Sequence, residues 1–504
     1  MTAKTPFAIG FAFFAGAALA QNAPLSAIEW LDQTPTVTID MGQPVFEPPV
    51  LSGPVSAPIS VDTLDAPARD AVGLLPTSVT GLPNSLWQNS DANRVSALIS
   101  RQRPELMPAM QALLYTLLLA EANTPMDTAS GDRFLLARID KLIEMGALEQ
   151  ASALVERSGP TTPPLFKRWF DVALLMGEEE AACQALTAAP HLSPDYASRI
   201  FCTARAGDWN AAALTLETAN ALRLLTEEED ALLLRFLDPE LFEGEPMMFA
   251  PRSPTPLTFR LYEAIGEHQP TSPLPRPFAH ADIRSTAGWK SRLEAAERLA
   301  RTGALPENRL IGIYSEGKPS ASGMIWDRVA AIQKFDEALA NQDTRRVAET
   351  LPKAWSAAQS VHLEVPFARI FGAALLDIDL TGVSHKLARD IALLSPQYEA
   401  AARLGPRDFL AGLALGNPPR TPADPLHRAI SDGFHGARVP QEVSSMLARG
   451  QLGEAILHAM SLMADGSQGD LTSLTDALAI FRAVGLEDTA RQAALQAAII
   501  DTRG

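Results

Sequence analysis

The densest group of metal-ligating residue types in the chain is Asp424, His427, Asp432 and His435, within DPLHRAISDGFHG. An aspartate and a histidine three residues apart share a helix face, and zinc accepts carboxylate and imidazole ligands. Residues 431–436 include two glycines, however, so we do not expect both pairs to lie on one helix. We therefore interpret these side chains as solvated turn residues, and we predict no metal and no cofactor.

A second group of reactive side chains lies in YSEGKPSASG, whose candidates are Tyr314, Ser315, Glu316, Lys318 and Ser320. A serine beside a lysine can act as nucleophile and base. No motif fixes their geometry, so we expect exposed residues of an ordinary turn. The chain also lacks a G-x-S-x-G elbow, a P-loop, an H-E-x-x-H helix and a dinucleotide-binding glycine fingerprint. We predict no catalytic residues and favour a binding protein over an enzyme.

Composition narrows the classes of partner. The 504 residues carry 42 Lys and Arg against 59 Asp and Glu, a net charge of −17. This balance argues against nucleic-acid binding, which needs a basic surface, and against docking on anionic lipid. Hydrophobic residues make up 47% of the chain, which is enough for a large buried core.

The first twenty residues are typical of a secretory signal. Lys4 precedes an apolar stretch over 7–20, and Ala18 and Ala20 give the small-x-small pattern of a cleavage site. The alternative, an uncleaved anchor, is disfavoured because fourteen apolar residues fall short of the roughly 20 that span a bilayer. We therefore expect cleavage after Ala20 and a periplasmic protein.

The chain contains two cysteines, Cys183 and Cys202. We expect them on consecutive antiparallel helices, near each other around a turn at Pro190. In an exported protein a disulfide between them is one interpretation. The other is a pair of buried free thiols that pack as small apolar residues.

The elements that would position these groups are helices. Residues 21–86 are rich in Pro and Val and predict an extended tether, because proline fixes φ and removes an N–H donor. Beyond this segment apolar residues recur every three to four positions, which predicts an all-α fold. We divide that part into helical regions at 87–237 and 289–504, the second ending in a capping helix, separated by a Pro-rich insertion or boundary at 238–288.

A regular glycine–alanine spacing indicates how the helices pack. A glycine that closes a helical run is followed five residues later by an alanine. We expect the glycine to permit a left-handed turn and the alanine to let the next helix approach closely. The pairs are Gly146 and Ala151, Gly177 and Ala182, Gly207 and Ala212, Gly450 and Ala455, and Gly485 and Ala490.

The glycines recur every 30–35 residues, a period typical of stacked helical hairpins. The segment Gly207-Asp208-Trp209-Asn210-Ala211-Ala212 resembles the middle of a tetratricopeptide repeat, although the Trp and Tyr positions of the first repeat helix are not filled. The resemblance covers 131–222 and 440–502 and implies an α-solenoid of antiparallel hairpins. The alternative is unrelated hairpins that share a packing device. The whole chain also resembles secreted helical proteins of alphaproteobacteria.

Two sets of apolar side chains are candidates for partner contacts. Met247, Met248 and Phe249 lie between prolines in 238–288 and form either an exposed partner site or a tip that folds back over a groove. Four tryptophans could anchor a partner, but we expect each to pack in the core. They are Trp209, Trp289, Trp326 and Trp355.

These features predict an exported helical-repeat scaffold or adaptor that binds a protein or peptide partner, and assembly of the cell envelope is the process that we expect it to serve. Two alternatives stay open. One is an envelope hydrolase acting on peptidoglycan through an unrecognised site. The other is a small-ligand-binding protein that uses a groove beneath 238–288.

Overall fold

The computed structural model describes residues 69–126, 132–284 and 286–500. Within these ranges the regular structure is helical, and the only β-type pairings are two isolated bridges. The predicted all-α class is therefore confirmed for this part of the chain. None of its helices combines the length and the apolar character needed to cross a membrane. The predicted signal segment and most of the predicted tether lie outside the described residues.

In chain order the helices of the first half are α1 Thr77–Thr80, α2 Ala92–Arg101, α3 Pro108–Leu119, α4 Arg133–Met145, α5 Leu148–Ser158, α6 Pro163–Met176, α7 Glu180–Ala188, α8 Tyr196–Arg205, α9 Trp209–Ala221, α10 Glu227–Leu237, α11 Pro256–Ala264 and α12 Ala279–Ile283. Those of the second half are α13 Trp289–Ala300, α14 Glu307–Ser315, α15 Ile325–Ala340, α16 Thr344–Gln359, α17 Glu364–Leu376, α18 Gly382–Ala392, α19 Tyr398–Leu404, α20 Phe409–Ala414, α21 Pro425–Phe434, α22 Gln441–Ala448, α23 Leu452–Ser467, α24 Leu471–Ala483 and α25 Glu487–Ile499.

The glycine–alanine spacing forms helical turns as predicted. All five glycines have a positive φ, between 72° for Gly450 and 88° for Gly207. Each paired alanine lies in the first turn of the following helix and is fully buried, as Ala151 is in α5 and Ala212 in α9. A larger side chain at these alanines would separate the two helices of the turn.

Consecutive helices from α4 to α9 contact one another, and α4 also contacts α6. Helices that are joined by short connections therefore also pack on each other in this part of the chain. Local signals start several of these helices. The side chain of Asp208 accepts a hydrogen bond from the Ala211 N–H at 3.0 Å and thereby caps α9. Thr226 and Glu229 form the predicted capping box of α10.

The last helices pack on the first ones. Helix α23 contacts α2, and α25 contacts α3 as well as α20 and α24. The Gly453 N–H donates to the Leu86 carbonyl oxygen at 3.1 Å, and the Ala109 N–H donates to Oε1 of Gln496 at 2.9 Å. In an open solenoid each repeat contacts only its neighbours, so these contacts are not those of an open stack. The last helix, which we predicted to be a capping helix, lies against α3 and buries Gln496 there.

Two buried apolar clusters result. The larger joins residues of α2–α11 to residues of α19–α25, and the smaller is built from α13–α18. Helix α12 connects them, because Ala281 belongs to the larger cluster while Ala279 and Ile283 belong to the smaller. The middle of the Pro-rich segment is therefore packed structure. Its helix α11 contacts α6 and α10.

The end of the predicted tether also differs from the prediction. Leu82 and Leu86 are buried in the larger cluster, and Asp70 accepts a hydrogen bond from the Leu135 N–H at 3.3 Å. Arg138 explains part of this order, because its buried guanidinium donates to the carbonyl oxygens of Asp70 and Val72. The proline content of 21–86 did not indicate that Arg138, which lies in α4, would bind the end of this segment.

Candidate functional site

A cavity of about 460 Å³ lies between α6, α8, α10 and α11. Its apolar side chains come from all four helices and from the turn before α8. They are Phe166, Phe170, Leu192, Ala197, Leu232, Leu233, Leu257 and Leu261. A cavity of this size and lining suits an apolar side chain or a small apolar ligand.

The same cavity receives the first turns of these four helices. Pro163 starts α6, where its missing N–H costs no hydrogen bond. Asp195 caps α8 by accepting from the N–H groups of Ala197 and Ser198. The Thr255 hydroxyl oxygen caps α11 by accepting a hydrogen bond from the Thr258 N–H at 3.1 Å. The capping residues therefore determine where the polar rim of the cavity lies.

The charges of the rim are already engaged. Lys167 pairs with Asp171 at 3.0 Å within α6. Arg168 forms two hydrogen bonds of 2.9 Å to Asp140 on α4. The carboxylates of Asp195 and Glu229 serve the caps of their own helices, where they also offset the positive helix N-termini. The cavity therefore has a polar rim whose charged groups already have partners and a wall that is mainly apolar.

Asp171 is a carboxyl of the cavity whose pKa is raised by its surroundings. About a quarter of its side chain, 26%, is accessible, but the carboxyl lies in a concave mouth enclosed by protein atoms. Desolvation raises the pKa of Asp171, and the charge of Asp195 acts in the same direction, while Lys167 opposes both. A carboxyl of this kind is a candidate for ligand contact or proton transfer.

The structure places the Asp424 cluster differently from the prediction. Helix α21 continues through Phe434, so His427 and Asp432 do share one helix. The expectation that glycine would break the run is wrong because Gly433 lies against Leu478 of α24, where a Cβ atom would come within 2.8 Å of it.

The side chains of the cluster have other partners. Asp424 caps α21 by accepting from the His427 N–H at 2.9 Å, and the ring of His427 stacks on Phe409 with centroids 4.0 Å apart. Nε2 of His435 is 2.6 Å from the carbonyl oxygen of Pro418. In the ranges that the structure covers, no three His, Cys, Asp or Glu side chains are arranged to hold a metal ion.

The stretch beginning at Tyr314 is not an exposed turn throughout. Tyr314 is buried in α14 and donates to Oε1 of Glu297 at 2.6 Å, and burial raises its pKa well above the usual range. Ser315 donates to the carbonyl oxygen of Ile311, and Glu316 pairs with Arg292 at 2.6 Å. Helix α14 extends through Ser315, so the turn that we predicted to begin at Tyr314 begins after Ser315.

No hydrogen bond or ion pair of Lys318 or Ser320 brings them together with Ser315 in a nucleophile–base arrangement. Both residues lie after the end of α14, in the irregular segment that precedes α15. Ser315, Lys318 and Ser320 all lie within the described range 286–500.

The apolar tip of the Pro-rich segment is partly exposed and partly packed on the core. Met247 and Phe249 are exposed, at 72% and 100%, while Met248 packs on the larger core. The Met248 N–H donates to the carboxylate of Glu267 at 3.0 Å, and the Tyr262 hydroxyl donates to the Phe249 carbonyl oxygen at 3.1 Å. The tip is thus held through its backbone with two apolar side chains outward.

Cys183 of α7 and Cys202 of α8 are joined by a disulfide, with their Cα atoms 5.0 Å apart. Among the tryptophans, Trp355 is buried, and Trp289 and Trp326 pack on each other and on the smaller core. The prediction that each tryptophan packs in the core is wrong for Trp209. Its side chain is 48% exposed, and its ring contacts that of Phe236.

We find no protein-family model, no curated protein and no solved structure that matches this chain.

The convergence of α6, α8, α10 and α11 on one cavity was not predicted from the sequence. Its lining comes from four separate segments between 163 and 261. The only local signal was the cluster of helix-capping patterns that begin α8, α10 and α11, which marks helix starts but not their convergence.

Proposed function

We propose that the protein is an exported helical-repeat scaffold or adaptor whose cavity between α6, α8, α10 and α11 receives an apolar side chain of a protein or peptide partner. The observation that supports this proposal is the apolar lining of a cavity of about 460 Å³ whose mouth carries polar groups. Apolar anchors that fill such pockets account for much of the affinity in protein recognition.

Two further observations favour binding. The charged groups of the rim are engaged in ion pairs or helix caps, as Lys167 is with Asp171. Such groups are held in fixed positions, which lowers the entropy lost when a ligand binds. Two of the four surrounding helices, α6 and α8, lie within 131–222, one of the two stretches that we propose to be tetratricopeptide-like.

Export to the periplasm is part of the same proposal. The apolar segment 7–20 supports it, and so does the pairing of Cys183 with Cys202, because disulfides persist in oxidising compartments. Mass determination of the mature protein tests this part, with cleavage after Ala20 as the expected result. A mature chain that retains Lys4 would contradict it.

Site-specific photocrosslinking in the cells that make the protein tests the binding proposal. Thr258 on α11 lines the cavity mouth, and a photoreactive amino acid at this position should form a discrete adduct with the partner. Thr215 on α9 is the matched control because it is a half-buried helical threonine outside the cavity. The absence of an adduct at Thr258, or the same adduct from both positions, would contradict the proposal.

The raised pKa of Asp171 favours one alternative function. A carboxyl whose pKa is raised in a cleft is a candidate general acid, which an envelope hydrolase acting on peptidoglycan would need. Incubation of the protein with cell-wall sacculi tests this alternative. Released muropeptides that disappear with Asp171→Asn would support the hydrolase, and sacculi that stay intact would exclude it under those conditions.

A small ligand in the same cavity is the remaining alternative, because Leu257 and Leu261 of the 238–288 segment form part of its wall. A thermal-shift screen of small apolar molecules tests it, since a ligand that binds only the folded protein raises the unfolding temperature.

A further inference from the structure

A second concavity, of about 630 Å³, lies at the C-terminal end of α6, where α5, α7 and α8 approach it. We call it the acidic cleft. Its apolar wall comes from Trp169, Ala173 and Met176 of α6. The cleft uses residues of α6 that do not line the cavity described above.

The charges that line the acidic cleft are strongly unequal. Four glutamates, Glu156, Glu178, Glu179 and Glu180, face a single arginine, Arg205. The positive N-terminus of α7 offsets this excess by about half a charge. Arg260, which pairs with Glu179 at 3.3 Å from outside the lining, removes about one further negative charge. A net charge of about −1.5 is left in the cleft, and this charge attracts cations.

The glutamates are held in different ways. Glu156 accepts hydrogen bonds from Nε1 of Trp169 at 3.1 Å and from the hydroxyl of Ser152 at 3.0 Å, both on Oε1. Glu178 is exposed, and no ion pair or side-chain hydrogen bond of the described residues engages its carboxylate. The cleft thus combines a positioned acceptor with a free one.

Glu179 supplies an independent observation. Its side chain is only 2% exposed, and Oε1 is within 3.3 Å of both Arg205 and Arg260. Oε2 is buried and has no hydrogen-bond partner among the described residues. Leaving a buried carboxylate oxygen without a hydrogen bond costs free energy, so a donor that enters the cleft and reaches Oε2 would be stabilised there. Arg205 is half exposed, so it can move aside and let a donor approach from the cleft.

The arrangement of the carboxylates and the apolar wall indicate which kind of cation fits the cleft. No three carboxylates of the described residues are close enough together to hold a metal ion, and the wall formed by Trp169 and Met176 is apolar. An ammonium or guanidinium group on a carbon chain matches both features, because it has donors for the carboxylates and methylene groups for the wall.

We propose that the acidic cleft binds an organic cation, with its ammonium or guanidinium group beside Glu178 and Glu179 and its carbon chain against Trp169. The cation has two sources of the same chemistry, a free polyamine or the basic side chain of a peptide. The proposal does not depend on the function of the apolar cavity.

Isothermal titration of the full-length protein tests it with two probes, spermidine and the acetylated tetrapeptide Gly-Lys-Lys-Gly. Magnesium chloride at equal ionic strength is the control for unspecific attraction to a chain of net charge −17. We expect saturable one-to-one binding of at least one probe and none of magnesium. Saturation by spermidine alone indicates a free amine, and saturation by the peptide indicates a basic protein segment.

Variants locate the binding. Glu179→Gln is the direct change, but it also disturbs the contacts of Arg260. Glu178→Gln leaves packing untouched and should weaken the bound probe about threefold, the size of an exposed ion pair. Glu240→Gln, an exposed glutamate of the segment after α10, removes the same charge elsewhere and should leave the affinity unchanged. Equal affinities for Glu178→Gln and Glu240→Gln, or no saturable binding, would overturn the proposal.

Discussion

The substitution Gly453→Ala tests the contact between the last and the first helices. Gly453 lies in α23, and a Cβ atom built there would overlap Cζ3 and Cε3 of Trp87 and lie 3.0 Å from the Leu86 carbonyl oxygen. Trp87 cannot yield easily, because it is 1% exposed and packs edge-on against Phe134 at 5.5 Å.

The magnitude follows from two opposing effects. Overpacking a filled core costs about 1–3 kcal/mol, and the enclosed tryptophan ring places this substitution near the upper end. Replacing glycine by alanine inside a helix gains about 1 kcal/mol. We therefore expect Gly453→Ala to lower the free energy of unfolding by about 2 kcal/mol.

Gly312→Ala is the matched control. Gly312 also lies inside a helix, α14, but nothing stands within 4 Å of the Cβ atom built there. Only the helix-propensity gain applies, so this variant should be more stable by about 0.5–1 kcal/mol. Urea unfolding followed by circular dichroism at 222 nm measures both. A Gly453→Ala protein that is as stable as the wild type would refute the packing of α23 on α2 and on the segment that carries Leu86 and Trp87.

Three further predictions concern stability. Asp171→Asn should raise the free energy of unfolding at pH 7 and leave it unchanged at pH 3, because the folded-state pKa is raised and stability is lost as the wild-type carboxyl ionises. Reducing the bond between Cys183 and Cys202, which are 19 residues apart, should cost about 3 kcal/mol, measured by urea unfolding with and without reductant. Tyr314→Phe should cost about 1.5–3 kcal/mol in the same assay, because it removes a buried hydrogen bond to Glu297.

Each of these has a contradicting result. An Asp171→Asn protein whose stability difference from the wild type is the same at pH 3 and pH 7 would show that the carboxyl is not desolvated. Two free thiols in the non-reduced, unfolded protein would show that the disulfide does not form. An unchanged unfolding midpoint for Tyr314→Phe would place the hydroxyl in water.

Local patterns in the sequence predicted the helical turns well. The spacing of Gly207 and Ala212 specifies both a left-handed residue and a small buried one, and Thr226 with Glu229 specifies a helix start. These devices involve residues within five positions of each other, so the sequence contains all the information they need.

Long-range packing was not predictable in this way. Gly433 continues a helix that glycine should end, because α24 approaches it closely. Tyr314 is buried, and its hydroxyl donates to Glu297, which is 17 residues away in the sequence. The apolar cavity needs four helix starts to converge, and no single segment shows that convergence.

Hydrogen–deuterium exchange with a bound peptide tests the central proposal most directly. The probe is a peptide enriched by the full-length protein from a randomised dodecapeptide display library. We expect added protection in 163–171, 192–198, 229–233 and 255–261, which line the cavity, and we expect Thr258→Trp to abolish it while Thr215→Trp does not. Failure to enrich any peptide, or protection confined to other helices, would contradict the assignment of the cavity as the partner site.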